Sequence, residues 1–404
     1  MSPAADESPL WPRVPLTRPS VGEGEAEAAR RVLLSGWLAQ GPEVEAFEAE
    51  FAAFVGAAHA VAVSNCTAAL ELLLHALGVG PQDEVVTPSH SFIAAANAIR
   101  RSGARPVFVD IEPEGYNADP QRIAAAIGPR TAAILVVHQL GMPCDLAAIA
   151  RIAEASGVPL IEDAACAAGS EILWQGAWER IGRPHGAAAC FSFHPRKIMT
   201  TGEGGMITTA DAAFAARLRR LRAHGMDLDT HARHLGGVLT ECYDEPGFNM
   251  RMTDVQAAVG RVQLAGLGRE VSRRRALASR YAGMLEAIPG LRAPREPDWA
   301  RSNWQSYCVQ LPDGVDQLTV MRRLADDGVA SRRGVMCVHR ETAFPVGSWS
   351  CRPGADCDRA ERRCDRLRFS EAAQDGSLQI PLFGAMTPAE QDRVVAALAA
   401  ACRR

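Results

Sequence analysis

Short apolar runs alternate with longer stretches of helical periodicity through the first two-thirds of the chain. The runs are rich in valine, isoleucine and alanine and are bounded by polar or turn-forming residues, which is typical of strands buried in a sheet. Stretches such as DLAAIARIAEASG repeat apolar residues at the spacing of a helix face. We therefore predict strands at residues 60–65, 106–111, 132–138, 158–164, 189–195 and 204–209, and a helix at 212–223.

This alternation predicts an α/β fold, with a mostly parallel sheet flanked by helices. A long helix rich in arginine and alanine is predicted over 254–288, and the glycines of LAGLG leave open whether it is broken. A proline-rich link, a strand, two helices and an irregular stretch over 346–375 complete the chain. We predict a large domain at residues 1–265, including an N-terminal arm, and a smaller α+β domain at 266–404.

The composition is that of an ordinary globular protein, with 404 residues, 48% hydrophobic, 22% charged and a net charge of −4. No basic excess favours nucleic acid or an anionic membrane as a partner, and no apolar run has the length of a membrane span. The N-terminal MSPAADESPLWPR lacks the basic and apolar regions of a signal peptide, so we expect a cytoplasmic protein with reduced cysteines. Cys351, Cys357 and Cys364 lack the tight pairs of a zinc site, and we predict no metal.

Lys197, in FSFHPRKIMTTGEGG, is the only lysine among the 43 basic residues of the chain. Arginine replaces lysine wherever a permanent positive charge is sufficient, but a guanidinium does not lose its proton in a protein. A neutral amine is needed where a carbonyl is attacked, as in imine formation. The pattern indicates a nucleophilic amine at the ligand end of the sheet, with a surviving surface lysine as the alternative. GEGG (202–205) has the spacing of neither a dinucleotide loop nor a Walker loop, and we predict a tight turn between strands.

Other predicted strand ends carry groups of matching chemistry. Asp163 closes the strand at 158–164, where its carboxylate would pair with a protonated pyridine nitrogen or else cap the next helix. SNCTAA (64–69) offers backbone N–H groups and hydroxyls suited to a phosphate at a helix start, although its residues are also ordinary N-caps. Phe92 would stack on a flat ring or belong to the core. Together with Lys197, these groups describe a pyridoxal phosphate site.

Three stretches are specific enough to indicate a family: IEDAACAAGS, FSFHPRKIMTTGEGGMITT and GFNMRMTDVQAAVGRVQL. Through them the chain resembles the DegT/DnrJ/EryC1/StrS family, pyridoxal-phosphate aminotransferases of fold type I that act mostly on nucleotide-linked keto-sugars. The similarity extends over nearly the whole chain, from GWLAQGPEVEAFEAEFA (36–52) to IPLFGAMTPAEQDRV.

The resemblance implies roles for individual residues. Lys197 would form an aldimine with the cofactor and shuttle protons, and Asp163 would keep the pyridine nitrogen protonated. Asn249 would reach the phosphate of the partner subunit, which implies a homodimer. The resemblance also assigns the phosphate to Cys66, Thr67, Ala68 and Ser192, the cofactor ring to Phe92 and Cys166, and the substrate to Trp37, His339 and Arg333.

Two positions depart from the family pattern. Cys66 stands where glycine or serine usually precedes the threonine of the phosphate loop, and Cys166 stands where glutamine or histidine usually contacts the cofactor's 3′-hydroxyl. A thiol is a weak hydrogen-bond donor, so this contact should be weakened or supplied by water. Neither change removes a group needed for the chemistry, and both bear on how closely the substrate follows the family's usual type.

Transamination is the expected function. An amino acid, glutamate or glutamine, would load the cofactor as pyridoxamine phosphate, which would then aminate a keto-sugar. Amination of a cyclitol or aminoshikimate-type chemistry is the alternative, whereas sugar 3-dehydratases of this fold carry histidine in place of the lysine. A regulatory relative without activity would need neither Lys197 nor Asp163. Substrate selection is assigned to loops near 174–186, 227–245 and 340–375, where no pattern identifies the sugar.

Overall fold

A computed structural model of the chain describes residues 13–227, 242–351, 357–358 and 363–403. Residues 1–12 of the N-terminal stretch discussed above lie outside this part, as do residues 228–241 of one predicted substrate loop and residues 352–356 and 359–362 of another. The helices are α1 (Glu23–Ser35), α2 (Pro42–Val55), α3 (Cys66–Ala76), α4 (Ala94–Arg101), α5 (Pro120–Ala126), α6 (Leu146–Ser156), α7 (Ala212–Leu221), α8 (Asp254–Leu285), α9 (Gln317–Asp326), α10 (Arg368–Gly376) and α11 (Pro388–Cys402). None of the described helices has the length and apolar character needed to cross a bilayer.

The strands include every run predicted from the sequence, with ends shifted by a few residues. The strand predicted after the proline-rich link is the one at residues 307–310. The prediction did not list the central strand at residues 84–88 or the other short strands outside the central sheet. The strands are β1 (His59–Val63), β2 (Glu84–Pro88), β3 (Arg105–Val109), β4 (Thr131–Val137), β5 (Leu160–Asp163), β6 (Glu171–Trp174), β7 (Ala177–Arg180), β8 (Ala188–Ser192), β9 (Gly205–Thr209), β10 (Ala300–Arg301), β11 (Tyr307–Gln310), β12 (Arg332–Arg333), β13 (Cys357–Asp358), β14 (Arg363–Cys364) and β15 (Ser377–Ile380).

The central sheet has seven strands in the order β1-β9-β8-β5-β4-β2-β3. β9 runs antiparallel to both of its neighbours, and the other adjacent pairs are parallel. The carboxyl ends of every strand except β9 therefore lie at one edge of the sheet. This arrangement confirms the predicted mostly parallel sheet and brings the predicted strand-end residues to a common edge.

Helices cover both faces of the central sheet. On one face, Ile134 and Val136 of β4 belong to a core that includes residues of α2, α6 and the first half of α8. On the other face, Leu135 and Val137 belong to a core that includes residues of α3, α4 and α7. A strand covered on both sides carries apolar residues at nearly every position, which explains why these runs were visible in the sequence.

A second assembly of strands and helices lies in the C-terminal part of the chain. β11, β15 and β12 form an antiparallel sheet in the order β11-β15-β12, and α9, α11 and the end of α8 share its apolar core. The backbone of Val14 pairs with Val329, so the first described residues contact this C-terminal unit. Two smaller sheets, β10-β6-β7 and β13-β14, lie outside both assemblies. The domain boundary at residue 265 stays a prediction.

α8 is continuous over 32 residues, so the LAGLG segment does not break it. Its start is fixed by Asp254, whose Oδ1 accepts the backbone N–H groups of Gly41 at 2.7 Å and Val44 at 3.1 Å at the start of α2. Thr253 and Gln256 add a capping box at the same end. The glycines of LAGLG are therefore tolerated inside a helix that tertiary contacts and caps hold in place.

The prediction of an irregular stretch over 346–375 is wrong in its last part, because α10 occupies residues 368–376. The helix buries only small side chains, Ser370 and Ala373, so no apolar periodicity marks it. Its first N–H groups are capped from a distance: Asp110, just after β3, accepts the backbone N–H of Ser370 at 2.7 Å and of Phe369 at 3.0 Å. A cap supplied by a residue so far away in the sequence leaves no local signal.

The glycines of α8 provide a test of its continuity. A Cβ at Gly268 would meet nothing within 4 Å, so we expect Gly268→Ala to raise the free energy of unfolding by about 0.5–1 kcal/mol. Gly260→Ala is the matched control, because its Cβ would lie 2.7 Å from Phe47 and 2.9 Å from Thr201, and it should lower that free energy. Denaturant titration measures both, and destabilisation by Gly268→Ala would contradict a helix that continues through this point.

Candidate active site

A cavity of about 870 Å³ opens at the carboxyl ends of β4, β5 and β8. Its opposite wall comes from the C-terminal unit, through residues of β12, the segment after it and β15. A volume of this size accommodates a cofactor together with a small substrate. The predicted site residues that line it are Cys66, Thr67, Phe92, Asp163, Cys166, Ser192, Lys197 and Arg333.

Asp163 is the last residue of β5, and its carboxylate is buried. Burial acts to raise the pKa of Asp163. Two contacts act to lower it: the backbone N–H of Ala165 donates to Oδ1 at 3.0 Å, and Lys197 supplies a nearby positive charge. The net effect is upward, so these contacts do not fully replace the water that the carboxylate has lost. A cation bound on the cavity side of Asp163 would therefore stabilise the charged form of its carboxylate.

Lys197 lies in the turn after β8, and its backbone N–H donates to the carbonyl of His194 at 2.8 Å. Its amine donates to Cys166 Sγ at 3.1 Å. Burial acts to lower the pKa of Lys197, but the neighbouring Cys166 sulfur and Asp163 act to raise it, and the pKa lies above its ordinary value. Without a ligand the amine is therefore held as an ammonium, and it must lose a proton before it can attack a carbonyl.

The start of α3 forms another side of the cavity. Asn65 is the N-cap, and its side chain accepts the backbone N–H of Ala68 at 2.8 Å. Thr67, in the first turn, and Ser192, the last residue of β8, both line the cavity with hydroxyl-bearing side chains. Hydroxyls beside the N-terminus of a helix provide a suitable environment for a phosphate group. The N–H of Ala68 is used by this cap, and the assignment of Ala68 to the phosphate stays a prediction.

GEGG lies at the end of the longer segment, residues 193–204, that joins β8 to β9, so the predicted tight turn is only part of that connection. Its last glycine begins β9 and is needed where the two strands meet α3. Gly205 pairs with Ser192 across the strands. A Cβ at Gly205 would lie 2.7 Å from the carbonyl carbon of Asn65 and 2.8 Å from the backbone nitrogen of Cys66. Since backbone atoms cannot move aside as a flexible side chain can, glycine allows the start of α3 to pack against β9 beside the cavity.

Three potential metal-ligand atoms meet behind the start of α3. Cys66 Sγ lies 3.6 Å from Cys190 Sγ and 4.0 Å from Asp163 Oδ1, and all three atoms lie within 4.8 Å of one another. Burial raises the pKa of Cys190 well above its ordinary value. The hydrogen bond between Cys66 and Cys190 acts to lower the pKa of Cys66, but burial and Asp163 outweigh it and the pKa is raised. The sequence did not predict this grouping, because its members come from three separate elements.

Two residues assigned to the substrate lie away from the cavity lining. His339 is 2% exposed, with Nδ1 2.6 Å from Ser89 Oγ and Nε2 2.9 Å from Glu371 Oε1. The Trp37 indole N–H donates to the carbonyl of Gln40 at 3.3 Å, between α1 and α2. Neither side chain faces the cavity of its own chain.

Asn249 also lies outside the cavity of its own chain, in the segment before α8. It is exposed, but the backbone on either side is well fixed: Phe248 N–H donates to Leu221 at 2.7 Å and Met250 N–H to Arg222 at 2.9 Å. An exposed side chain on a fixed backbone is suited to contact another molecule, and the assignment of Asn249 to a partner's site stays a prediction.

Sequence reasoning missed several residues that shape the cavity. Asn303 donates to the carbonyls of Cys166 at 2.8 Å and Ala168 at 2.9 Å, and Gln305 donates to the carbonyl of Arg196. Trp304 between them has φ 53°, in the left-handed region that non-glycine residues rarely adopt. No local pattern marks this segment, because its role depends on how the C-terminal unit packs against the sheet.

The cavity also carries a cluster of arginines, Arg196, Arg332 and Arg333. Burial and the charges of the two other arginines lower the pKa of Arg332. Arg333 has a weak ion pair with Glu341 at 3.4 Å. The sequence shows that Arg332 and Arg333 are adjacent, and this was the one indication of a positive cluster. That Arg196 lines the same cavity depends on the fold. Positive charge at this place favours an anionic ligand.

Comparison with known proteins identifies the family. The model of the DegT/DnrJ/EryC1/StrS aminotransferase family matches residues 19–399. The chain belongs to this family. It is 41% identical over 318 residues to the spore coat polysaccharide biosynthesis protein SpsC of Bacillus subtilis, covering 78% of this chain and 80% of that protein.

Solved structures agree with this assignment. The aminotransferase TlmJ from Streptoalloteichus hindustanus superposes with a TM-score of 0.85 at 36% identity, covering 96% of this chain and 98% of TlmJ. The structure of 3-amino-5-hydroxybenzoic acid synthase superposes with a TM-score of 0.84 at 31% identity, covering 97% and 99% of the two chains. The predicted family, fold type I and aminotransferase class are confirmed.

The pKa of Lys197 can be measured without interference from other lysines. In the cofactor-free protein we expect the rate at which Lys197 is acylated to rise about tenfold per pH unit. The rate should not level off below pH 10.5, the ordinary pKa of a lysine, because the amine is held as an ammonium. Cys166→Ala should lower that pKa, since burial then acts with less opposition. Loss of cutting by a lysine-specific protease reports the modification.

Cys402→Ala, which removes a sulfur on α11 remote from the cavity, is the control and should leave the profile unchanged. If Cys166→Ala also left it unchanged, the contact between Cys166 and Lys197 would not govern the charge of the amine.

Proposed function

We propose that the chain uses pyridoxal 5′-phosphate to transfer an amino group from glutamate or glutamine to a keto-sugar carried on a nucleotide. The observation that carries this proposal is the placement of Lys197 and Asp163 in one cavity at the carboxyl edge of the sheet. The family membership supports the reaction class. The donor, the nucleotide and the cofactor contacts of individual residues are part of the proposal.

The residues of the cavity fit this cofactor by chemistry. The Lys197 amine suits an aldehyde, and the incompletely compensated carboxylate of Asp163 suits a protonated ring nitrogen. Thr67 and Ser192, beside the start of α3, suit a phosphate. Phe92 is 61% exposed on the cavity wall, where its ring is available to cover a flat ligand.

Bound pyridoxal 5′-phosphate would supply an aldehyde that takes up the amino group and a protonated ring that withdraws electrons. Lys197 would give up its proton, bind the aldehyde, and after displacement by the amino donor move a proton at Nζ between substrate and cofactor carbons. Asp163 would hold positive charge at the ring nitrogen. Cys166, beside Nζ, would help to position the amine, and the α3 turn would orient the phosphate.

The arginine cluster supports anionic substrates. Arg196, Arg332 and Arg333 would face the carboxylates of an amino acid donor and the phosphates of a nucleotide-linked acceptor in alternate half-reactions. The similarity to SpsC, a polysaccharide biosynthesis protein, supports a sugar as the acceptor. The similarity to 3-amino-5-hydroxybenzoic acid synthase supports the second candidate, a cyclitol or aminoshikimate-type ketone. Masses of the products formed from candidate ketones separate the two.

Absorption spectra test the reaction class. The purified protein with pyridoxal 5′-phosphate should show a visible band that bleaches when glutamate or glutamine is added. Lys197→Arg should abolish the band and the activity, because a guanidinium cannot lose its proton. Asp163→Asn should lower kcat by about 10²-fold or more through loss of charge stabilisation. Arg196→Lys, one residue away, is the control that should keep the band, and a fully active Lys197→Arg variant would refute the proposal.

We infer that the protein works as a homodimer in which Asn249 contacts the phosphate in the partner's cavity. The support is that Asn249 is exposed, fixed by its backbone and absent from its own cavity lining. Exposed apolar side chains on and after α1, Leu33, Leu34 and Leu38, provide a surface that a second copy would cover.

Subunit complementation tests this arrangement. Lys197→Ala and Asn249→Asp homodimers should each have little activity, the second because a carboxylate would repel the phosphate. A heterodimer purified through two different tags should regain activity, because one of its sites combines an intact Lys197 with an intact Asn249. If the heterodimer is no more active than the homodimers, Asn249 acts within its own subunit or not at all.

A further inference from the structure

The contact between Cys166 and Lys197 joins two reactive groups in one cavity. Lys197 Nζ lies 3.1 Å from Cys166 Sγ, so the nitrogen and sulfur meet without an intervening group. Cys166 is half-buried and lines the cavity, which makes its sulfur accessible to a small solute. Cys66 and Cys190, the other sulfur atoms near Asp163, are buried.

The backbone fixes both partners. The loop that carries Cys166 is held by Asn303, which donates to the carbonyls of Cys166 at 2.8 Å and Ala168 at 2.9 Å. The turn that carries Lys197 is held by the bond from its own N–H to His194 at 2.8 Å. The two side chains are therefore presented to each other by segments with little freedom to separate.

We propose that hydrogen peroxide converts Cys166 and Lys197 into a covalent sulfur–nitrogen crosslink whenever the lysine amine is not bound to cofactor. Peroxide first oxidises the thiol to a sulfenic acid and is reduced to water. The lone pair of the amine then attacks the sulfur, hydroxide leaves and takes up the amine proton as water, and an S–N bond forms. In total, one thiol, one amine and one peroxide give one sulfenamide and two waters.

The amine must be neutral before it can attack the sulfur. The Cys166 sulfur is one of the groups that keep the pKa of Lys197 above its ordinary value against the effect of burial. The crosslink should therefore form faster as the pH rises, because more of the amine is then neutral.

The crosslink would be a reversible protection of the site. It goes beyond the proposed function, since it requires only these two side chains and an oxidant. A second thiol can attack the S–N bond, returning the amine and forming a mixed disulfide that a further thiol reduces to Cys166. The bond occupies the one ε-amine of the chain, so the protein cannot bind an aldehyde while it persists.

The single lysine makes the test sharp. A lysine-specific protease cuts the unfolded chain only after Lys197, and it requires a free ε-amine. Cofactor-free protein is treated with hydrogen peroxide, unfolded, alkylated without reductant and digested. We expect full-length chain that is cut in two after dithiothreitol treatment, and an intact mass lower by about 2 Da before reduction.

Matched variants separate this crosslink from other oxidation products. Cys166→Ser should remain fully cleavable after peroxide. Cys66→Ser removes a possible Cys66–Cys190 disulfide, and Cys351→Ser removes a possible Cys351–Cys364 disulfide, whose sulfur atoms lie 3.2 Å apart. Either disulfide has the same mass change as the crosslink, and both variants should still resist the protease. Protein carrying pyridoxal 5′-phosphate should remain cleavable, and if it instead behaves like cofactor-free protein, the cofactor assignment fails while the crosslink stands.

Two results would overturn the proposal. One is cleavage of the oxidised wild-type chain, with Cys166 heavier by about 32 Da, which shows oxidation to a sulfinic acid without participation of the amine. The other is resistance to the protease that persists in Cys166→Ser. Both are read from the chain and its mass and need no activity measurement.

Discussion

A carboxylate held out of water at the end of a central strand is the constraint on which the site depends. Asp163 cannot be solvated where it lies, and its contacts with Ala165 and Lys197 only partly replace water, so its pKa remains raised. β1 and β8 run in the same direction as β5, so the start of α3 after β1 and the amine after β8 lie at the same edge as Asp163. The cavity therefore combines a buried carboxylate that a cation would stabilise, an amine, and hydroxyl groups beside the start of a helix.

The central sheet was predictable because both of its faces are covered. Strands buried on two sides appear as continuous apolar runs, and each predicted run corresponds to a strand. The hairpin of β6 and β7 gave no such run, because its strands mix polar and apolar residues and pair outside the central sheet. α10 was missed because Asp110, far away in the sequence, caps it. Local patterns thus identified elements stabilised by local burial and missed those stabilised by distant contacts.

The candidate site shows the same division. Lys197 and Asp163 were found because each ends or follows a strand and carries a chemistry that its neighbours lack. The contact of Lys197 with Cys166, the grouping of Cys66 with Cys190, and the approach of Arg196 to Arg332 depend on segments that meet only in the folded chain. The burial of His339 between Ser89 and Glu371 is likewise invisible in the sequence. The residue types in the sequence indicated the chemistry of individual groups, but not which groups lie beside one another in the folded chain.

The uninterrupted α8 has a mechanical consequence. Its 32 residues correspond to about 48 Å of rigid rod, with Leu264 in the core of the central sheet and Tyr281 in the core of the C-terminal unit. A bend between these two anchors would break a full turn of backbone hydrogen bonds, so the rod resists hinge rotation of one unit against the other. A continuous rod anchored in both cores therefore opposes a change in the width of the cavity that lies between the two units.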